Sequence, residues 1–140
     1  MPSEYRLKRR VAFYETDMAG MVHFSWFFRY MEEAEHALWR EAGLSIAPRH
    51  SVYGFPRVAA ACEFRRPVRF EDELEICLRV AAITTRTIRY TCTMTRAGEA
   101  VADGTMTVVA VTEQPDGTMA AVPLPADIAG AFQVHPDAAS

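Results

Sequence analysis

The residues with the most chemical potential lie in one short stretch, Tyr14-Glu15-Thr16-Asp17-Met18-Ala19-Gly20-Met21-Val22-His23-Phe24. A carboxylate such as Asp17 can act as a general base or attack an electrophilic carbon directly. An aspartate just ahead of a helix is equally a common cap or turn residue, and spacing alone does not separate the two roles. Gly20 gives the loop freedom to turn sharply. The first N–H groups of a helix have no internal partners and carry partial positive charge. A helix starting near His23 and Phe24 would therefore offer donors to an oxygen on which negative charge develops. His23 reads either as a chemical group or as a packed, hydrogen-bonded histidine, and Ser25 as a helix cap or a ligand contact.

These residues need elements to hold them. Tyr5, Leu7, Arg9, Val11 and Phe13 alternate with Arg6, Lys8, Arg10 and Ala12, the period-two pattern of a strand. From Phe24 to Ala42 the period becomes helical. Phe27, Met31, Ala34, Leu38 and Ala42 form one stripe, Arg29, Glu33, His36 and Arg40 another, and Gly43 follows as a terminator. Glu32, Glu33 and Glu35 read as a solvated helix face, paired with Arg29, His36 or Arg40, with one of them a second choice for a catalytic acid. Three further strands are predicted around Val58–Arg65, Glu73–Val80 and Thr87–Thr95, each alternating. A turn at Ala97-Gly98-Glu99 leads to a fourth, from Ala100 to Thr112. Gln114-Pro115-Asp116-Gly117 is a turn, 123–132 a short helix, and the remaining tail is expected to fray. A strand, one long helix and a run of strands without βα alternation imply an α+β fold, an antiparallel sheet of about five strands packed on one dominant helix.

The chain has 140 residues, half of them apolar, so one domain spanning 1–140 with a real core is expected. A net charge of −3 gives no global field for nucleic acid. Lys8 is the only lysine, so the basic groups are almost all arginine forks suited to phosphate or carboxylate, or simply reflect genomic composition. Cys62, Cys77 and Cys92 are widely spaced and lack any zinc-ligand or disulfide pattern, so neither a metal nor a cofactor is expected. No signal-like or membrane-spanning run is present, and a reduced, cytoplasmic protein is the expectation.

The element order, together with the stretch from Tyr14 to Phe24, resembles the 4-hydroxybenzoyl-CoA thioesterase family of hotdog proteins. That family has an acidic residue three positions before a glycine, then an aromatic or His pair opening the long helix. Asp17, Gly20, Val22, His23 and Phe24 occupy those places, and the resemblance runs to the Pro-Leu-Pro-Ala-Asp-Ile segment at 123–128. It implies a hotdog fold, with the sheet wrapped around the helix, and hydrolysis of an acyl- or aroyl-CoA. Asp17 would be base or nucleophile, the Phe24 backbone amide the oxyanion donor, and His23 a further catalytic candidate. Gly20, Val22, Ser25, Trp26, Phe27 and Tyr30 would line the acyl site. Arg86, Thr87 and Arg89 sit where family members contact coenzyme A, with Arg65 and Arg66 as further candidates. The family also implies a homodimer or homotetramer with sites at subunit interfaces, and an acyl carrier protein as an alternative thioester carrier. A hotdog hydratase or dehydratase and a non-catalytic acyl-CoA binder are the competing readings.

Overall fold

The computed structural model describes residues 1–138; Ala139 and Ser140, at the tip of the tail, lie outside the described residues. Five strands, β1 (Glu4–Arg10), β3 (Arg57–Phe64), β4 (Glu73–Ile83), β5 (Thr87–Arg96) and β6 (Glu99–Val109), form one antiparallel sheet in the order β1-β4-β5-β6-β3. A second, three-stranded sheet joins β2 (Tyr53–Gly54), β7 (Val111–Glu113) and β8 (Met119–Ala121). The long helix α1 spans Phe24–Glu41 and a single-turn helix α2 spans Ala126–Ala129.

In β4 and β5 the alternation read from sequence is the alternation of burial, whereas the edge strand β3 is mostly exposed on both sets of positions. Leu74, Ile76, Leu78 and Val80 of β4 and Ile88, Tyr90, Cys92 and Met94 of β5 are all buried against α1, which presents Phe27, Met31, Ala34 and Leu38. At ~1.5 Å per residue the helix is ~27 Å long, close to the reach of the strands that wrap it. It ends in a paired C-terminal motif: Leu44 N–H donates to the Trp39 carbonyl at 2.9 Å and Gly43 N–H to that of Arg40 at 2.9 Å, with Gly43 at φ +80°. At Gly104, where β6 meets both Cys62 and Cys92, the sheet packs tightly on α1; an added Cβ would fall 2.5 Å from the Met31 sulfur. Cys77 and Cys92 are buried and Cys62 half-buried.

Several expectations need correction. β1 stops at Arg10 rather than running to Phe13, because residues 13–15 form a 3₁₀ turn closed by Glu15 Oε1 accepting from Ala12 N–H at 2.8 Å. The strand expected over 100–112 breaks at Ala110, whose N–H donates to the Arg86 carbonyl at 2.9 Å, and β7 enters the second sheet. The final helix is confined to Ala126–Ala129. The tail is tied down up to Ala138: Gln133 N–H donates to Pro2 at 3.0 Å and His135 N–H to Val80 at 2.8 Å.

The acidic face of α1 differs most. Glu33 pairs with Arg9, and Glu32 with Arg57, not with Arg29, His36 or Arg40. Glu35 is fully buried and ion-paired with Arg57, while its Oε2 has no hydrogen-bond partner. Removal from water raises the Glu35 carboxyl pKa, against the opposing pull of the Arg57 guanidinium. A carboxyl raised above its unfolded value of about 4.3 binds protons more tightly when folded. Its contribution to stability is therefore complete below that value and is lost as pH rises through the folded pKa. Glu35→Gln removes the group that titrates. Melting temperatures measured between about pH 4.5 and pH 8 should shift progressively in the variant's favour relative to the parent as pH rises. A difference that is flat or moves the other way would show that Arg57 dominates instead.

Candidate active site

The loop from Asp17 to Met21 closes on itself. Asp17 N–H donates to the Met21 carbonyl at 2.8 Å, and Gly20 N–H to the Asp17 carbonyl at 2.9 Å. Gly20 takes φ +78°, a left-handed conformation that a side chain would strain. The Asp17 side chain is exposed; its Oδ1 accepts from Ala19 N–H at 2.9 Å, which leaves Oδ2 without a partner among the described residues. Thus the turn role and the open carboxylate oxygen coexist in one residue.

The segment between β3 and β4 holds this loop from the other side. Val22 N–H donates to the Val68 carbonyl at 2.7 Å, and Arg69 Nη1 to the Gly20 carbonyl at 3.3 Å. Between the two segments opens a cleft of about 390 Å³, bounded by Asp17, Met21, Val22, Phe24, Phe27 and Phe64, and by Arg65 to Val68. Phe27 and Phe64 meet edge to face with ring centroids 5.1 Å apart. A carboxylate, a helix start and an apolar chamber therefore share one opening.

Helix α1 begins directly on this cleft. His23 is the N-cap, a role expected for Ser25: its Nδ1 accepts from Ser25 N–H at 3.3 Å and lies 2.8 Å from Ser25 Oγ. Nδ1 accepting from the Ser25 backbone N–H leaves Nε2 as the nitrogen that carries a ring proton. The imidazole packs against the Phe24 ring at a tilt of 32°, with ring centroids 4.5 Å apart. His23 N–H is spent on the Glu15 carbonyl at 2.9 Å, whereas the Phe24 N–H finds no hydrogen-bond partner among the described residues. The free donor of the helix start is the one at Phe24.

The remaining expected residues divide clearly. Val22, Phe27, Arg65 and Arg66 line the cleft with Asp17 and Phe24, while Gly20 shapes its rim without lining it. Trp26 lies off the cleft, edge-on to Tyr14 at 5.6 Å and beneath Arg29. Tyr30 is fully buried and its hydroxyl donates to Glu15 Oε1 at 2.9 Å, so it belongs to the interior and not to the cleft wall. Burial and the adjacent Glu15 charge both push its phenol well above the usual range. Arg86 stands in the β4–β5 turn, and Thr87 and Arg89 begin β5. Phe64 pairs with Ala102, and Ala102 with Met94, so the cleft lies at the other end of β5. The run from Arg89 to Met94 alone is ~17 Å at ~3.4 Å per residue. Within one chain these three residues do not meet the cleft.

Sequence reasoning missed Phe64 as a cleft residue and passed over Glu15. The Glu15 side chain is fully buried and accepts from Arg9, from Ala12 N–H and from the Tyr30 hydroxyl. One signal was available. Arg9 stands in the otherwise apolar set of β1, and an arginine on an inward face needs a buried acceptor.

No group of three or more His, Cys, Asp or Glu among the described residues is arranged to hold a metal ion, and no helix is long and apolar enough to cross a membrane. Among known proteins, the chain is 37% identical over 92 residues to a protein of Aquifex aeolicus named "Putative esterase", covering 64% of this chain and 70% of that one. It is 39% identical over 90 residues to the 1,4-dihydroxy-2-naphthoyl-CoA hydrolase of Synechococcus sp. (strain CC9311), covering 56% of this chain and 59% of that protein. The crystal structure of a hypothetical protein from Aquifex aeolicus superposes with a TM-score of 0.85 at 27% identity, over 92% of this chain and 99% of its own. Residues 11–132 match the thioesterase-like superfamily, and the chain belongs to that family of hotdog hydrolases.

Proposed function

We propose that this protein hydrolyses an acyl- or aroyl-coenzyme A to the free acid and coenzyme A. The observation that carries this reading is the shared opening: Asp17, whose Oδ2 has no partner among the described residues, and Phe24, whose N–H has none, line one largely apolar cleft. With the thioester carbonyl oxygen on the Phe24 N–H, negative charge developing there is stabilised by the helix start. Asp17 then takes a proton from water as it attacks the carbonyl carbon, or attacks that carbon itself to give an anhydride that water opens. In either route the C–S bond breaks and the thiolate leaves. His23, as the N-cap, holds the helix start in place.

The aromatic walls formed by Phe24, Phe27 and Phe64 favour a flat acyl group, in keeping with the naphthoyl thioester named for one relative. Arg65 and Arg66 border the cleft and are paired with Asp103 and Glu99 at the surface. Such exposed pairs are weak and exchange readily for a phosphate. Arg86, Thr87 and Arg89 would reach a site only across subunits. The edge strand β3 supports assembly of that kind: Val58, Ala59, Ala60 and Ala61 are exposed and uncharged along an unpaired edge, whereas the opposite edge β1 exposes Arg6, Lys8 and Arg10. A homodimer joined there, or a tetramer built from it, would cover the open side of the cleft.

Thiol release measured over a panel of aroyl-CoA, aliphatic acyl-CoA and acyl carrier protein thioesters tests the proposal. Aroyl-CoA esters should show the highest kcat/KM. Saturable binding without thiol release would identify a binder instead, and an enoyl thioester product from a 3-hydroxyacyl substrate a dehydratase.

A further inference from the structure

We propose that Glu15 is the positioning residue of this site, fixing Asp17 and the start of α1 in one geometry. The inference rests on the reading of Asp17 and Phe24 as the reacting pair. Glu15 stands two positions before Asp17, and each end of it holds a different part. Its carboxylate, with no exposure to solvent, takes Oε1 contacts from Arg9 Nη1 at 3.1 Å, Ala12 N–H at 2.8 Å and the Tyr30 hydroxyl at 2.9 Å. Oε2 is paired with Arg9 Nη2. Its backbone carbonyl accepts from His23 N–H at 2.9 Å, the residue that caps α1.

Through these bonds the first strand, the second turn of the helix and the helix cap converge on one residue, the first two on its side chain and the cap on its backbone carbonyl. Glu33 extends the arrangement by accepting from Arg9 Nε at 2.9 Å. The bridge between Thr16 and Val22 then closes the Asp17 loop on this anchor. The exposed loop holds few apolar contacts of its own: Met18 and Tyr14 are both largely in solvent. Its placement relative to the Phe24 N–H therefore depends on hydrogen bonds, from this anchor on one side and from Val68 and Arg69 on the other, more than on burial. Placement matters chemically, since a shift of about 1 Å at a reacting group can cost ~10²-fold in rate.

Glu15→Gln replaces Oε2, facing Arg9, with an amide donor, so two donors oppose each other in a buried site. Tyr30→Phe removes one donor only and preserves the ring, providing a milder variant should the first fail to fold. Amide hydrogen exchange over residues 16–24 reports the geometry directly. It should accelerate about tenfold or more in Glu15→Gln and severalfold in Tyr30→Phe, with β4 to β6 unchanged. In the same variants kcat should fall ~10- to 100-fold for Glu15→Gln, and less for Tyr30→Phe, while KM stays within about twofold. A purely structural carboxylate would lower the urea midpoint and leave kcat of the folded fraction intact. Unchanged exchange in the folded variants, or accelerated exchange with undiminished kcat, overturns the proposal. Should the parent protein hydrolyse no thioester, the hydrolytic reading fails on its own, and the exchange comparison still decides the role of Glu15.

Discussion

Asp17→Asn should fold like the parent protein and lose thioester turnover by about 10²- to 10⁴-fold, the range associated with removing a general base. The fold is expected to persist for a specific reason. The turn uses only Oδ1, as an acceptor for Ala19 N–H at 2.9 Å, and an asparagine oxygen can take its place. What disappears is the charge on Oδ2, the oxygen without a partner among the described residues. The loss should fall on kcat, because the apolar walls that hold the acyl group are untouched. Asp17→Ala separates the two roles of the residue: it should match Asn in activity while loosening the turn. Thermal melts and steady-state kinetics on the three proteins suffice, and near-normal turnover in Asp17→Asn would remove Asp17 from the mechanism.

The second large effect concerns stability. Gly104→Ala places a methyl group 2.5 Å from the Met31 sulfur and 3.0 Å from the Ala61 carbonyl. Met31 is itself fully buried, so its side chain has no open space to retreat into, and the carbonyl belongs to the backbone of β3. Overpacking of this kind costs ~1–3 kcal/mol, a large share of the ~5–15 kcal/mol that holds a domain together. With urea m-values of ~1–3 kcal/mol/M, the midpoint should fall by about 1 M. Met31→Ala alone leaves a cavity, but combined with Gly104→Ala it should cost less than the two changes summed, since the methyl enters the space Met31 vacates. A Gly104→Ala protein as stable as the parent would mean that α1 can lift off the sheet freely.

These two residues also mark what a single sequence reveals. The faces of α1, β4 and β5 were legible because one-sided burial writes its period into consecutive residues: Phe27, Met31, Ala34 and Leu38, then Leu74, Ile76 and Leu78. The Asp17–Gly20 loop was legible because a positive φ calls for glycine and the helix pattern begins just beyond it. Gly104, Glu15 and Glu35 left no such trace. Each is explained by a partner outside its own local pattern, Met31 for Gly104, Tyr30 and the inward Arg9 of the preceding strand for Glu15, and Arg57 for Glu35. Local spacing assigns Glu35 to a solvated face, and only the return of β3 past α1 encloses it. Likewise Ser25 has the residue type of a cap, but the geometry of the chain entering α1 gives that place to His23. Arg86, Thr87 and Arg89 were grouped with the site by resemblance, and their distance along β5 makes any contribution a matter of assembly.

The thiols of this protein set the conditions under which it can work. Burial lifts the Cys62 thiol to about 11 and raises those of Cys77 and Cys92 as well. Near neutral pH all three remain protonated, and a protonated thiol is a poor nucleophile toward a disulfide. A hydrolase of coenzyme A esters generates a free thiol at every turnover, and that product oxidises to a disulfide capable of modifying exposed cysteines. With its thiols buried or half-buried and raised in this way, the chain's activity is expected to survive both oxidised coenzyme A and the aromatic disulfide reagents used to count released thiol.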